Sequence, residues 1–253
     1  MSESRFAASP KLACGRTASG GGIYIIPSVG GEARLIAPRG RRPRFSPDGR
    51  WVAYYVGVSE VITNFSELYV VGSTGGAPRQ VELLKISVAS HPVWTPDGHL
   101  LFLGVCPAEG RSAGAQPTGD WWVAPSEGGK AIRTGALDAL RRGKFKVDND
   151  DAPIPTPDYY MEDRVVFSGQ VGDSRNVWQV RLSSTTWEVI GEPERVTSGT
   201  SLEVQPSMVA GSEGPAGPRA RLVYASLTST LNIWSLPTDA NQGKVAGDPR
   251  LSG

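Results

Sequence analysis

The sequence predicts an all-β fold, a β-propeller of four-stranded antiparallel blades, from one recurring strand and two recurring turns. Five short apolar runs share an aromatic residue at the same place: Tyr24, Tyr69, Trp122, Trp178 and Trp234. These aromatics lie between 45 and 56 residues apart, without a helical period between most of them. Four-stranded units that repeat at this interval are typical of propeller blades. A sandwich would not repeat its turns at fixed offsets.

The first recurring turn follows the aromatic strand. Paired glycines stand at the same offset after three of the runs: Gly30–Gly31, Gly75–Gly76 and Gly128–Gly129. Two glycines between β-prone runs supply the positive φ that a tight hairpin needs. Each unit is therefore expected to contain a hairpin of two strands, C and D.

The second recurring turn precedes the aromatic strand and joins two further strands, A and B. Ser46-Pro47-Asp48-Gly49 and Thr95-Pro96-Asp97-Gly98 combine a preset proline φ, an aspartate that bonds its own backbone and a closing glycine. Unit four is interpreted as keeping a worn copy of this turn at Thr156-Pro157-Asp158, and unit five keeps Gln205–Pro206. The segment 6–15 is interpreted as a degraded first copy.

The whole chain, residues 1–253, is predicted to be one propeller domain. About five units are seen, at residues 1–37, 38–85, 86–137, 151–198 and 199–253. One short helix is expected over Leu137–Phe145. The number of units, and the last strand just before Arg250–Leu251–Ser252, leave two interpretations. The ring closes with five blades, which would be unusual, or it is an incomplete six-bladed ring. An open ring would expose strand edges, which would favour oligomerisation.

Composition excludes several classes of partner. The formal net charge is +1, so no general attraction to nucleic acid is expected. No apolar run is long enough to insert this chain into a membrane, and the first residues lack the apolar core of a signal peptide. The distant Cys14 and Cys106 fit neither a disulfide scaffold nor a metal site. No cofactor and no metal are predicted.

The repeat resembles a known family. The stretches 45–55 and 94–103, with the strand and turn at 68–81, resemble the Pro-Asp repeat of the TolB-like propellers, which also occurs in prolyl-oligopeptidase-type propellers. The stretches 163–207 and 231–253 are most similar to the propeller tails of bacterial serine/threonine kinase-linked proteins. The resemblance implies a bacterial, WD-like repeat protein that binds protein or peptide. It also implies a periplasmic or other extracytoplasmic location, which the chain itself does not specify.

Motifs that suggest catalysis or metal binding are weak. Gly110-Arg111-Ser112-Ala113-Gly114 matches a nucleophile elbow, but His91 and His99 both precede the serine, so the usual later histidine is missing. Gly128-Gly129-Lys130 lacks the remaining residues of a phosphate loop. The acidic run 148–151 lacks the glycine and distal glutamate of a calcium loop. The protein is predicted not to be an enzyme.

The predicted binding site is the mouth of the central channel, where the A strands begin. A basic arc from unit two is expected to face an acidic arc from unit four, and this polarity would orient a protein or peptide partner. Solvation of the loops is the alternative explanation for these charges. The predicted partner-binding residues are Arg41, Arg42, His91, Asp150, Asp151, Glu203 and Gln205.

Two other functions remain open. The chain could be the gating propeller of a prolyl-oligopeptidase-type serine peptidase whose catalytic domain lies outside it. It could also be a damaged copy without function, an interpretation that the degraded first unit favours. The sequence that flanks this chain would distinguish a peptidase propeller from a kinase sensor. Cooperative thermal unfolding would argue against a damaged copy.

Overall fold

The computed structural model describes residues 11–16, 22–57, 65–107, 118–147, 153–214, 217–228, 234–239, 244–245 and 247–251. These residues form strands almost throughout, with one short helix. The first two sheets contain β1 (Lys11–Arg16), β2 (Gly22–Pro27), β3 (Arg34–Ala37), β4 (Arg41–Phe45), β5 (Trp51–Gly57), β6 (Ser66–Gly72) and β7 (Arg79–Gln80). The middle of the chain forms β8 (Leu83–Leu84), β9 (Val88–Trp94), β10 (His99–Cys106), β11 (Thr118–Pro125), β12 (Gly129–Lys130), β13 (Ile132–Arg133) and α1 (Ala136–Arg142).

The remaining strands complete the pattern. They are β14 (Pro157–Met161), β15 (Arg164–Val171), β16 (Ser174–Leu182), β17 (Val189–Arg195), β18 (Leu202–Gly214), β19 (Gly217–Leu227), β20 (Trp234–Ser235), β21 (Thr238–Asp239), β22 (Lys244–Val245) and β23 (Arg250–Leu251). Three sheets have four strands each, in the orders β4-β5-β6-β7, β9-β10-β11-β13 and β14-β15-β16-β17. Their neighbouring strands pair antiparallel, so the predicted all-β propeller of four-stranded antiparallel blades is confirmed.

We call these three sheets blades two, three and four. Blade one consists of β1-β2-β3, and blade five contains the β18–β19 hairpin. The first strands of blades two to five pack beside one another in chain order, β4 against β9, β9 against β14 and β14 against β18. In a propeller these inner strands line the central channel.

Hydrophobic side chains fill the spaces between neighbouring blades. Separate buried clusters lie between blades one and two, between two and three, and between three and four. The cluster between blades three and four contains Trp121, which is 0% exposed, and extends over α1 through Leu137 and Leu140. The short helix predicted over Leu137–Phe145 is thus confirmed as Ala136–Arg142, and its apolar residues cover the edge of the core.

Three of the five predicted strand aromatics pack beside the core. Tyr69 stacks on Tyr54, with ring centroids 5.7 Å apart. The indole Nε1 groups of Trp122 and Trp178 each donate a hydrogen bond to a glycine carbonyl of the neighbouring strand, at 3.1 and 3.2 Å. Trp234 is exposed. In blades two to four these residues therefore pack their rings against the sheet and satisfy their polar atoms.

Both recurring turns form where blades two and three need them. The paired glycines have positive φ, with Gly75 at 96° and Gly76 at 117° as an example. In the Pro-Asp turn, Ser46 Oγ donates to Asp48 Oδ1 at 2.6 Å, and the backbone N–H of Trp51 donates to Ser46 Oγ at 3.0 Å. Gly49 closes this turn at φ 71°. The sequence prediction for these turns is confirmed.

The interpretation of unit four is wrong at one point. Thr156-Pro157-Asp158 does not form a turn, because β14 begins at Pro157 and Asp158 is a strand residue. The chain instead reverses between Met161 and Arg164, with Glu162 at φ 56°. Tyr159 stands where blades two and three have glycine, so the segment cannot adopt their turn at low cost.

Candidate functional site

The inner strands of blades two, three and five share an unusual backbone feature. Arg42, His91 and Gln205 have φ of 52°, 54° and 56°, and each immediately precedes a proline. At all three places the pairing with the next strand shifts register, as in a β-bulge. Residues other than glycine rarely adopt a positive φ, and backbone strain of this kind is often found at functional sites. The repeated bulge therefore makes this part of the inner strands of blades two, three and five a candidate functional site.

Blade four contributes a buried acid at the corresponding place. Asp158 follows Pro157 in β14, and its ladder with β15 also shifts at this residue. The residue is 5% exposed. Burial raises the pKa of the Asp158 carboxyl to about 6, although the Arg44 and Arg42 guanidiniums and the backbone N–H of Ser168 favour its charged form. Asp158 is thus a carboxyl group held in a poorly solvated site between cations.

Three arginines surround this carboxyl group. Arg42 Nη1 lies 4.0 Å from Asp158 Oδ1, with the Arg42 side chain 33% exposed. Arg44, on the same strand as Arg42, and Arg175, at the start of β16, both interact electrostatically with Asp158. Burial lowers the pKa of Arg44 and also that of Arg175. The two guanidiniums are therefore partly removed from water.

A neutral histidine completes the group. His91 packs its ring against Tyr55, with centroids 5.2 Å apart, and its Nδ1 lies 3.1 Å from Ser90 Oγ. Burial lowers the pKa of His91 to about 3, and the charges of Arg42 and Arg44 act in the same direction. The imidazole is consequently uncharged at neutral pH. We call Arg42, Arg44, His91, Asp158 and Arg175 the inner-strand cluster.

The structure brings together only some of the predicted mouth residues. Arg42 and His91 belong to the inner-strand cluster, and Arg41 is exposed beside it. Gln205 is exposed at the bulge of blade five. Asp150 and Asp151 lie outside the described residues, as do the rest of the acidic run 148–151 and the serine motif 110–114.

Glu203 is placed differently from an open mouth residue. It is 3% exposed and accepts hydrogen bonds from Asn176 Nδ2, at 2.9 Å, and from Thr197 Oγ1. Burial opposes ionisation, but these bonds and the backbone N–H groups of Val177 and Gly199 together lower the pKa of Glu203. The carboxylate therefore joins blade four to blade five, and its oxygens already have partners within the chain.

Sequence reasoning missed Arg44, Asp158 and Arg175. Arg44 lies two residues after Arg42 on the same strand, so its place on the same face could have been found from the alternation of strand side chains. Asp158 was not predicted as a site residue, because the Pro-Asp motif that contains it predicts a turn. Arg175 comes from β16, whose approach to the inner strand depends on the B–C hairpin and has no sequence signal.

The described part of the chain shows few other candidate sites. Within it, no group of three or more His, Cys, Asp or Glu residues is placed to hold a metal ion. No helix there is long and apolar enough to cross a membrane. A cleft between the Pro-Asp turns of blades two and three is lined by both turns, Trp51 and Ser126.

Comparisons with known proteins support the fold. No family model matches the chain. TolB from Acinetobacter baumannii aligns with a TM-score of 0.50 and 16% identity, over 93% of this chain and 51% of that chain. Putative TolB from Agrobacterium tumefaciens aligns with a TM-score of 0.48 and 19% identity, over 88% of this chain and 72% of that chain.

One curated relative is similar in sequence. It is the uncharacterized peptidase YuxL of Bacillus subtilis (strain 168), which is 33% identical over 87 residues. The match covers 34% of this chain and 12% of that protein, so the chain spans only a small part of this relative. At 16% identity, the alignment with TolB from Acinetobacter baumannii shows the fold alone, a β-propeller similar to that of TolB.

Proposed function

We propose that this chain is a non-enzymatic propeller that binds a protein or peptide at the mouth of its channel, like TolB-like propellers or the sensor tail of a bacterial kinase. The observation that carries the proposal is the inner-strand cluster. Charged side chains from blades two and four meet there around Asp158, and Arg42 and Arg41 extend the charge towards solvent. Complementary charges at a mouth raise the rate of encounter and fix the orientation of a partner.

The test uses labelled peptides and charge reversal. Fluorescence anisotropy with acidic, basic and neutral peptides would measure binding to the wild-type chain. Replacing both Arg41→Glu and Arg42→Glu is expected to weaken binding of an acidic peptide by roughly tenfold or more, since close charge pairs are worth more than 1.4 kcal/mol. The matched control is Arg142→Glu with Lys144→Glu, two exposed cations at the end of α1.

The outcomes separate the proposal from its alternative, solvation of the loops. Equal affinity in the wild type and the Arg41/Arg42 double variant would contradict a binding mouth, as would the absence of binding by every peptide. An equal loss in the α1 control would show that net charge, rather than the mouth, governs binding.

A second function has one observation in its favour. The sequence match to YuxL, a protein named as a peptidase, favours the gating propeller of a serine peptidase. Sequencing the flanking DNA distinguishes the two functions. An α/β-hydrolase domain that follows in frame would establish the peptidase propeller, and a preceding kinase domain with a membrane helix would establish the sensor.

A further inference from the structure

The inner-strand cluster has more positive than negative charge. Three guanidinium groups, those of Arg42, Arg44 and Arg175, act on the single carboxyl group of Asp158. Among the described residues, no acidic group other than Asp158 contributes to the pKa shifts of the half-buried Arg44 and Arg175. Partly buried cations are costly unless anions compensate them. The site therefore has room, in electrostatic terms, for a further negative charge.

Several hydrogen-bond donors of these arginines also lack a close acceptor among the described residues. Arg175 Nε is buried and has no hydrogen-bond acceptor among the described residues. Arg175 Nη2 donates a long bond of 3.4 Å to the Pro153 carbonyl. Arg42 Nη1 lies 4.0 Å from Asp158, beyond hydrogen-bond distance. A guanidinium presents a planar fork of donors that fits an oxyanion with two oxygens.

From this surplus of charge and donors, we infer that the inner-strand cluster binds a carboxylate group of the peptide partner. The inference rests on the proposed function and names the chemistry that its site recognises. The partly exposed Arg42 and the exposed Arg41 provide the approach from solvent, and Arg44 and Arg175 are half-buried beside them.

The charge balance favours a carboxylate over a phosphate. Asp158 already occupies part of the cluster, so a dianion would bring two further negative charges against it. A carboxylate adds a single charge, and its two oxygens match the spacing of guanidinium donors. His91 is neutral, as burial holds its pKa far below its usual range, so it adds no cation that would favour a dianion.

The first experiment measures thermal stabilisation by a small dicarboxylate, glutarate. Glutarate is compared with its neutral analogue glutaramide, with inorganic phosphate and with sodium chloride at matched ionic strength. A ligand that binds only the folded chain raises Tm, by roughly 2–6 °C at about ten times its Kd. We expect this rise with glutarate, and a smaller one with phosphate.

The variants are Arg175→Gln and Arg42→Gln, with Arg142→Gln as the matched control on α1. Both cluster variants are expected to lose the rise in Tm, whereas the control retains it. Circular dichroism confirms that each variant is folded, and Arg42→Gln, with a side chain 33% exposed, provides the test if Arg175→Gln does not fold. An equal rise with sodium chloride, a larger rise with phosphate, or a rise that persists in the folded cluster variants would overturn the inference.

The second experiment identifies the source of the carboxylate. One labelled peptide is prepared with a free C-terminal carboxylate, with a C-terminal amide, and with the amide plus one glutamate. Binding of only the first form assigns the C-terminus, and binding of only the third assigns an acidic side chain. Equal binding of all three forms would overturn the inference while leaving peptide binding itself intact. Stabilisation by glutarate without binding of any peptide would instead contradict the proposed function alone.

Discussion

The motif Ser/Thr-Pro-Asp adopts different structures in two regions of this molecule. In blades two and three, Ser46-Pro47-Asp48 and Thr95-Pro96-Asp97 form the turns that join the inner strand to the next. In blade four, Thr156-Pro157-Asp158 leads into the inner strand itself, and the aspartate is buried beside arginines. The difference teaches that the residue after the motif decides its structure, since glycine follows the first two and Tyr159 follows the third.

The pKa values of the two aspartates also shift in opposite directions. Asp48 is exposed at its turn, and hydrogen bonds from Ser46 and Arg50 lower its pKa to about 2. Asp158 has no such turn, and burial raises its pKa to about 6. The turn aspartate therefore stabilises the fold when it is charged, whereas the inner-strand aspartate is costly when charged.

The largest expected effect is on the pH dependence of stability through Asp158. Because its folded pKa lies above the usual 3.8, the folded chain holds a proton between about pH 4 and 6 that the unfolded chain has lost. The free energy of unfolding should thus fall as pH rises through this window, by up to about 3 kcal/mol from this group. Asp158→Asn removes the contribution, as urea denaturation at a series of pH values would show.

The matched control for this prediction is Asp48→Asn, which should change the stability at acidic pH, below about pH 4. Asp48 has a folded pKa below its usual value, so its contribution is present above about pH 4 and is lost as pH falls towards 2. Parallel pH profiles for the wild type and Asp158→Asn between pH 4 and 6 would contradict the burial of a titrating carboxyl group.

An intermediate effect is expected at the glycine that closes the turn. Gly98 has φ 88°, and a Cβ added there would meet no atom within 4 Å. Gly98→Ala should therefore cost mainly backbone strain, about 1–2 kcal/mol of unfolding free energy. Gly98→Asn should cost less, because asparagine tolerates this region better. Equal losses in the two variants, measured by thermal denaturation, would show that crowding rather than φ limits the position.

The smallest effect is expected from the turn aspartate at neutral pH. Asp48→Ala removes the acceptor of the Ser46 hydroxyl and of the Arg50 backbone N–H, at 2.6 and 3.0 Å. Because Asp48 is exposed, water replaces part of these bonds, and the loss should be about 1 kcal/mol. Chemical denaturation at pH 7 measures it. A loss as large as that of Gly98→Ala in the equivalent turn of blade three would mean that the side-chain bonds contribute to such a turn as much as its glycine does.

Much of the fold could be predicted because its signals are local. The paired glycines require positive φ wherever they stand, and Ser46 bonds Asp48 within its own turn, so both turns follow from a few adjacent residues. The site was less predictable. Arg42 and His91 were named from their place before the inner-strand proline, but Arg175 reaches the cluster from a different strand, by packing that no neighbouring residue encodes.

The sequence by itself determined the all-β architecture, the two turns in blades two and three, and the short helix after blade three. These depend on φ preferences, on hydrogen bonds between near neighbours and on the alternation of apolar side chains. Only the tertiary structure decided that Asp158 is a buried acid among Arg42, Arg44 and Arg175. The physical reason is that burial and charge act through space: the pKa of one carboxyl group depends on side chains more than 100 residues away in the chain.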